Sequence, residues 1–382
     1  MNRRTFLQRV SLLPAVVPAI GSQSPAGGQA PVRRPPFPYV DGLSFIGNPL
    51  DVARSGLSAF INDVSTAERL PTPDGSVKYF RSFDACNRSI NAARKQLADG
   101  AIPGAFLATS GRAVRDAYAA GRTAVFFQFQ GCEPIGDDLT RLEHFHKLGL
   151  RVLQITHHND NLWGGGAIQK TWTGLTKLGR EGVQRMNALG IIADLSHASE
   201  VTALDTLAVS KRPVILSHGG ARALVPNARC APDDVIRGVA SSGGVMGIFV
   251  MSMWLTTDPT PTVEGYVRQI RHVIKIGGMD AVGIANDYPL AGESAAAKAG
   301  NDNAKIISNY YEWWDSVAKE GVLGFDTRPP HAVIPELNDI NRMFSIQAAL
   351  ERSGFKTPEI EKIMGANWIR VLTDSLPADT AQ

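Results

Sequence analysis

From Pro38 onward the chain repeats one pattern: a short apolar run of strand length, a glycine- or polar-rich break, then residues with helical periodicity. Eight such runs stand out, at about 39–46, 104–109, 123–130, 151–157, 191–197, 213–218, 244–250 and 281–287. Between the fourth and fifth runs, Leu175, Leu178, Val183, Met186 and Leu189 share one side of a helical period, which predicts a helix over 174–189 stopped by Gly190. Strands that alternate with helices pair in parallel, and eight of them favour a closed α/β barrel of the (β/α)8 TIM type over an open sheet. Near the C-terminus, two further helical patterns, 336–350 and 358–364 with Thr357 as N-cap, are expected to close over the barrel.

Two of the runs pass directly into Ser-His: Gly190-Ile-Ile-Ala-Asp-Leu-Ser-His197 and Pro213-Val-Ile-Leu-Ser-His218. The catalytic groups of such barrels stand at the C-terminal ends of strands, so two successive strand-end histidines read as metal ligands. The bland reading is a pair of hydrogen-bonded structural residues. Alternation along a strand puts His197 with Leu195 and Ala193, His218 with Leu216 and Val214, His157 with Ile155 and Leu153, and Asp287 with Ala285 and Gly283. Those four groups are expected to converge at one barrel mouth. Imidazoles and a carboxylate together there are what metal-assisted hydrolysis requires, although a loop-capping role would also suit Asp287. By the same parity His158 faces away and caps the following loop. His144 and His146 lie on a helical pattern, where residues two apart diverge, and read as surface residues.

Length and composition narrow the field further. The 382 residues suffice for two average domains or for one large barrel with decorations. A net charge of +3 is spread along the chain without a basic block, so nothing marks a nucleic-acid surface. Cys86, Cys132 and Cys230 follow no spacing of a disulfide framework or a thiolate zinc site. The start, Asn2-Arg3-Arg4-Thr5-Phe6-Leu7-Gln8 followed by the apolar stretch Val10 to Ile20, reads as a twin-arginine signal directing the protein to the periplasm. That stretch, interrupted by Pro14 and Pro18, falls short of the roughly 20 residues a bilayer needs, so no membrane span is expected in the mature chain. Residues 1–36 are thus assigned to signal and linker, 37–373 to one barrel domain and 374–382 to a disordered tail. The cluster Tyr310-Tyr-Glu-Trp-Trp314 reads as a packing or interface patch, a homodimer contact being one use for it.

Three segments carry a family resemblance: Gly174-Leu-Thr-Lys-Leu-Gly-Arg-Glu-Gly-Val-Gln-Arg-Met-Asn-Ala-Leu-Gly-Ile-Ile-Ala-Asp-Leu-Ser-His-Ala-Ser199, Leu216-Ser-His-Gly-Gly-Ala-Arg-Ala223 and Gly365-Ala-Asn-Trp-Ile-Arg-Val371. In order and spacing the chain resembles, from about Val40 to Leu372, the membrane (renal) dipeptidases, zinc-dependent barrel peptidases of the wider amidohydrolase group. The resemblance implies that His197 and His218 are ligands of one of two zinc ions and that His157 polarises the scissile carbonyl. It implies also that Arg229 binds the substrate and that Asp287 handles the proton of the attacking water. Where the family's first strand ends in Asp-Gly-His-x-Asp, this chain has Asp41-Gly42-Leu43-Ser44-Phe45, so Leu43 and Phe45 replace two metal ligands. Gln130 stands in place of the metal-bridging glutamate, with Glu133 three residues out of register. Two close divalent ions need carboxylates to offset their repulsion. The expectation is therefore a single zinc held by His197, His218 and either Asp287 or Gln130, acting on dipeptides or a related small amide. The alternative is a non-hydrolytic homologue without metal that binds a small ligand or a partner.

Overall fold

The computed structural model describes residues 34–71, 77–169, 173–321, 324–325 and 327–377. The export signal read from the first residues, and residues 378–382 of the tail, lie outside them. Eight strands form a ring in chain order: β1 (Val40–Phe45), β2 (Ala59–Asp63), β3 (Thr123–Phe129), β4 (Leu150–Gln154), β5 (Ile192–Asp194), β6 (Leu216–Gly219), β7 (Met246–Ile248) and β8 (Val282–Ile284). Every pairing in the ring is parallel, and β8 returns to β1 through Ile284 opposite Asp41. The seam between β5 and β6 is narrow. A single bridge, Asp194 opposite Ile215, joins them there, with Leu195 N–H donating to Ile215 O at 2.8 Å and Ile215 N–H to Ala193 O at 3.0 Å. The fold is a (β/α)8 barrel.

One member of the ring differs from the sequence reading. The run at 104–109 contributes only the short strand Ala105–Leu107, which pairs with the first residues of β3 (Ala105 opposite Thr123, Leu107 opposite Val125) and stands outside the ring. Its edge of β3 passes to β4 from Phe127 onward. The vacant place in the ring belongs to Ala59–Asp63, whose apolar stretch Ala-Phe-Ile is too short to stand out as a strand. After β2 an antiparallel hairpin, Glu68–Pro71 with Val77–Phe80, is tied to the helix Asn303–Lys319 through Glu320, which accepts from Arg69 at 2.6 Å and from the Tyr79 hydroxyl at 3.2 Å.

The helix between β4 and β5 spans Lys177–Leu189. Thr176 caps its start by accepting from Gly179 N–H at 3.0 Å, and Gly190 ends it in the left-handed conformation at φ 73°, where a residue without a Cβ is unstrained. At the C-terminus the structure gives a helix Arg342–Arg352, a short helix Thr357–Glu361 and a last helix Asn367–Ser375. Thr357 is the first helical residue rather than the cap. Lys356 holds the cap position, its N–H donating to Glu359 Oε2 at 2.7 Å. The last helix also runs two residues past Thr373, with Leu376 buried beyond it.

That last helix fills the barrel from its N-terminal end. Trp368 is fully buried, and its Nε1–H donates to Ile284 O at 3.0 Å. A Cβ placed on Gly42 of β1, Gly247 of β7 or Gly283 of β8 would come to 2.5, 3.0 and 2.3 Å of the indole respectively. Three strands thus give up their own interior side chains to admit one from outside the ring. Asn367 and Arg370 fix the approach by donating to carbonyls just ahead of β8, Asn367 Nδ2 to Met279 O at 2.8 Å and Arg370 Nη2 to Asp280 O at 2.9 Å. Trp368→Ala would leave a cavity that glycine-lined strands cannot collapse into. A loss of about 3–5 kcal/mol is expected, read as a shift of the urea midpoint at unchanged slope.

Candidate functional site

Three of the strands end before the residues that matter. β4 stops at Gln154, three residues short of His157; β5 at Asp194, three short of His197; β8 at Ile284, three short of Asp287. Only His218 lies within a strand. Strand alternation therefore does not place the other three, and a turning backbone does. His197 has φ 65° and Asp287 φ 56°, and they are two of the three non-glycine residues with positive φ among those described. Such a conformation presses Cβ against the backbone and persists only when its surroundings enforce it.

The enforcement is visible in each case. His197 O accepts from Ala167 N–H at 2.7 Å and from the Thr156 hydroxyl at 3.3 Å. Leu43 O accepts from Asn286 N–H at 3.1 Å and Asp287 N–H at 2.8 Å, which clamps the turn after β8 to β1. Asp41 completes the clamp: Oδ1 accepts from Leu43 N–H and Asn286 N–H, both at 3.0 Å, while Oδ2 accepts from the Ser44 hydroxyl at 2.5 Å and from the Asn286 amide. Burial pushes the Asp41 carboxyl up to about 6 even so.

Four imidazoles meet at the mouth. The rings of His157 and His197 stack at 4.2 Å, His158 meets His197 edge-on at 4.6 Å, and His197 Nε2 lies 2.9 Å from His218 Nε2. One ligand nitrogen from each of His157, His158 and His197 falls within 4.8 Å of the others. His158 thus belongs to the cluster, contrary to the parity reading, because the chain has left its strand by that point. His144 is exposed and bonds Asn87 at 2.8 Å.

His218 is oriented from behind. Its Nδ1 lies 2.8 Å from the Ser217 hydroxyl, which itself donates to Asp194 Oδ2 at 2.6 Å. With that hydrogen committed, the Ser217 oxygen accepts from Nδ1–H, so the neutral ring carries its lone pair on Nε2, facing His197 and lying 3.9 Å from Asp287 Oδ2. Arg229 donates to His218 O at 3.3 Å and lies against the rings of Phe249 and Trp254, 5.3 and 5.7 Å from their centroids, with its Nε unpartnered. Tyr310, Trp313, Trp314 and Phe325 pack together beside Trp254, so the aromatic cluster read from the sequence is an internal contact here.

Burial holds all four histidines below their ordinary value, with the positive charge of Arg229 adding to the effect. They are neutral at pH 7, the state in which imidazole donates to a metal. Burial pushes Asp287 up to about 7, opposed by Arg229. Several polar atoms around the mouth are buried without a partner: His157 Nε2, His197 Nδ1, Asp287 Oδ1 and both amide atoms of Gln130, one residue beyond β3. Leu43 is fully buried and Phe45 partly so, and neither offers a donor atom. His197 and His218 turn two ring nitrogens toward each other, with Asp287 Oδ2 3.9 Å from His218 Nε2. Two nitrogens on one tetrahedral zinc stand about 3.3 Å apart, a few tenths of an ångström wider than this pair. Sequence reasoning missed Asp41, Asp194 and His158, although Asp194 stands inside the same motif as His197.

A family model described as membrane dipeptidase (Peptidase family M19) matches residues 59–308. The chain is 32% identical over 261 residues to "Dipeptidase tcpJ" of Claviceps purpurea (strain 20.1), a match covering 67% of this chain and 52% of that protein. The chain thus spans about half the length of that curated relative. Among solved structures it is similar to an amidohydrolase from Pseudomonas aeruginosa (TM-score 0.73, 25% identity, covering 89% of this chain and 97% of that one). It shares its fold with a metallo peptidase from Rhodobacter sphaeroides liganded with a phosphinate mimic of L-Ala-D-Ala (TM-score 0.68, 20% identity, covering 89% and 99%).

The Asp287 environment gives a stability test. Its folded value near 7 lies above the ordinary aspartate value of about 3.8, so its contribution is fully present at low pH and is lost as pH rises through that window. In metal-free protein, Asp287→Asn removes the ionisable group at nearly constant shape. The variant should gain on the wild type from pH 5 to pH 8, by ~3 kcal/mol at most, in urea unfolding with chelator present.

Proposed function

The chain belongs to the membrane dipeptidase family, and from that premise we propose that it is an exported metallohydrolase that cleaves dipeptides or a related small amide with one zinc ion. The observation that carries this reading is the meeting of neutral, buried imidazoles with a raised carboxyl, two of the residues being held in left-handed backbone. His197, His218 and Asp287 would hold the ion, with the Gln130 amide oxygen as a weaker donor. When bound, the ion supplies Lewis acidity at the mouth.

The rest falls to the chain's own residues. Arg229, buried on aromatic faces, takes the carboxylate of the substrate. His157 Nε2, without a protein partner, hydrogen-bonds the scissile carbonyl and the charge that develops there. Asp287 Oδ1, equally free, accepts a proton from water and returns it to the leaving amine. Burial behind Phe249 and Trp254 keeps bulk water from competing. The Arg3-Arg4 start supports export by the twin-arginine route.

A second reading, a non-hydrolytic relative, draws on one observation. His197 Nε2 and His218 Nε2 are spaced as a hydrogen-bonded pair, and Leu43 fills part of the place where the family carries a ligand. Metal content separates the two. Protein purified without chelator should carry about one zinc per chain, and the His197→Ala/His218→Ala variant should carry none and lose dipeptide turnover. Absence of specific metal from the wild type would favour the binding protein. Restoring charge with Leu43→His, Phe45→Asp and Gln130→Glu should raise the content toward about two ions.

A further inference from the structure

Arg81 is a buried guanidinium to which the hydrolase reading gives no task. It follows the hairpin strand Val77–Phe80 directly, is 4% exposed, and its Nε donates to the Ser65 hydroxyl at 3.0 Å, just beyond the end of β2. Its Nη2 is buried with no hydrogen-bond partner, and among the described residues it forms no ion pair. Asp63, the last residue of β2, is nearby, but its Oδ1 is taken by Ser65 N–H at 2.8 Å and the Ser65 hydroxyl at 2.7 Å, and its charge reaches Arg81 across a gap. A guanidinium this deep without a contacting anion is costly to the fold. The missing half of a charge-assisted pair then arrives with a ligand.

Its place in the ring says which part of a ligand that is. Arg81 rests on the end of β2; Gln130, whose N–H faces Asp63, ends β3; His157 and His158 follow β4. Arg229 stands beyond β6, on the other side of the histidines. The fields of both arginines act on His157 and His158, so the two charges flank one cluster. We propose that Arg81 is a second anion-recognition group of the same mouth, and that the preferred substrate bears a carboxylate on its amino-terminal residue besides the terminal one at Arg229. This rests on the hydrolase reading for the direction in which the substrate lies: carboxylate end at Arg229, scissile bond at His157, amino-terminal residue toward Arg81.

The test is calorimetric binding of L-Glu-L-Ala and of its neutral isostere L-Gln-L-Ala to the full chain, with turnover followed separately. Wild type should bind the glutamyl peptide about tenfold more tightly. Arg81→Gln should erase that ratio while leaving Gln-Ala binding within about twofold, Arg81→Lys should keep part of it, and Arg229→Gln should weaken both peptides together. Equal affinity for the two peptides in wild type, binding of neither, or a ratio that survives Arg81→Gln in folded protein overturns the inference. Hydrolysis of both peptides at equal KM would sink Arg81 recognition and leave the hydrolase reading standing. A charge preference with no turnover would do the reverse.

Discussion

The carboxylate of Asp194 holds the barrel and its mouth in one network. It accepts hydrogen bonds from Ser196 N–H, the Ser196 hydroxyl, Ser217 N–H, the Ser217 hydroxyl and Gln128 Nε2, at 2.6 to 3.0 Å. Those donors come from β3, from β6 and from the turn after β5, and they meet at the seam where the ring is joined by a single bridge. A fully buried carboxylate would ordinarily be a liability, and burial does push this one above its usual range. Five donors offset that cost. Barrel closure and the orientation of His218 thus draw on the same two oxygens, because Asp194 takes the Ser217 hydrogen and leaves that oxygen to accept from His218 Nδ1.

The two ends of the barrel are built on opposite terms. At the N-terminal end Trp368 fills the space left by three glycines and its N–H is bonded. At the C-terminal end two residues hold left-handed backbone, buried polar atoms lack partners, and two guanidinium groups lie beneath the surface. A barrel selected for stability alone would have a glycine at His197 and Asp287 and apolar groups at Arg81 and Gln130. Cost concentrated at one end, with rigid packing at the other, is how a fold keeps a strained site in register.

Much of this was legible in the sequence, and the part that was not has a common cause. Apolar runs gave seven of the eight ring strands, and Gly190 gave the end of the helix Lys177–Leu189. Ala59–Asp63 was missed because three apolar residues carry no periodicity, and 104–109 was overvalued because pairing to one edge of β3 looks the same in sequence as membership of the ring. Parity brought His157, His197 and Asp287 to the right mouth for an incomplete reason. It assumed strands that continue to those residues, whereas the chain turns three residues earlier, and the same assumption sent His158 to the wrong side. Asp41 and Arg81 were silent because their roles depend on partners far away in the chain, at Asn286 and at the mouth as a whole.

Asp41 also sharpens the meaning of the altered first strand. In Asp41-Gly42-Leu43-Ser44-Phe45 the aspartate and the glycine are expected from the sequence to be retained and a metal-binding pair to be replaced, and the structure gives Asp41 and Gly42 tasks that need no metal. Asp41 clamps Asn286, and Gly42 makes room for Trp368. Retention of those two therefore says nothing about catalysis, since any folded barrel of this design would keep them. The groups that do bear on it are those whose conformation the fold does not require. Left-handed backbone at His197 and Asp287 is held by its neighbours, yet it delivers polar side-chain atoms to the mouth that, like the free nitrogens of His157 and Arg229, find no partner there. Their cost is offset only by what enters the mouth, which makes a ligand-binding site there the simplest physical account of why the strain persists.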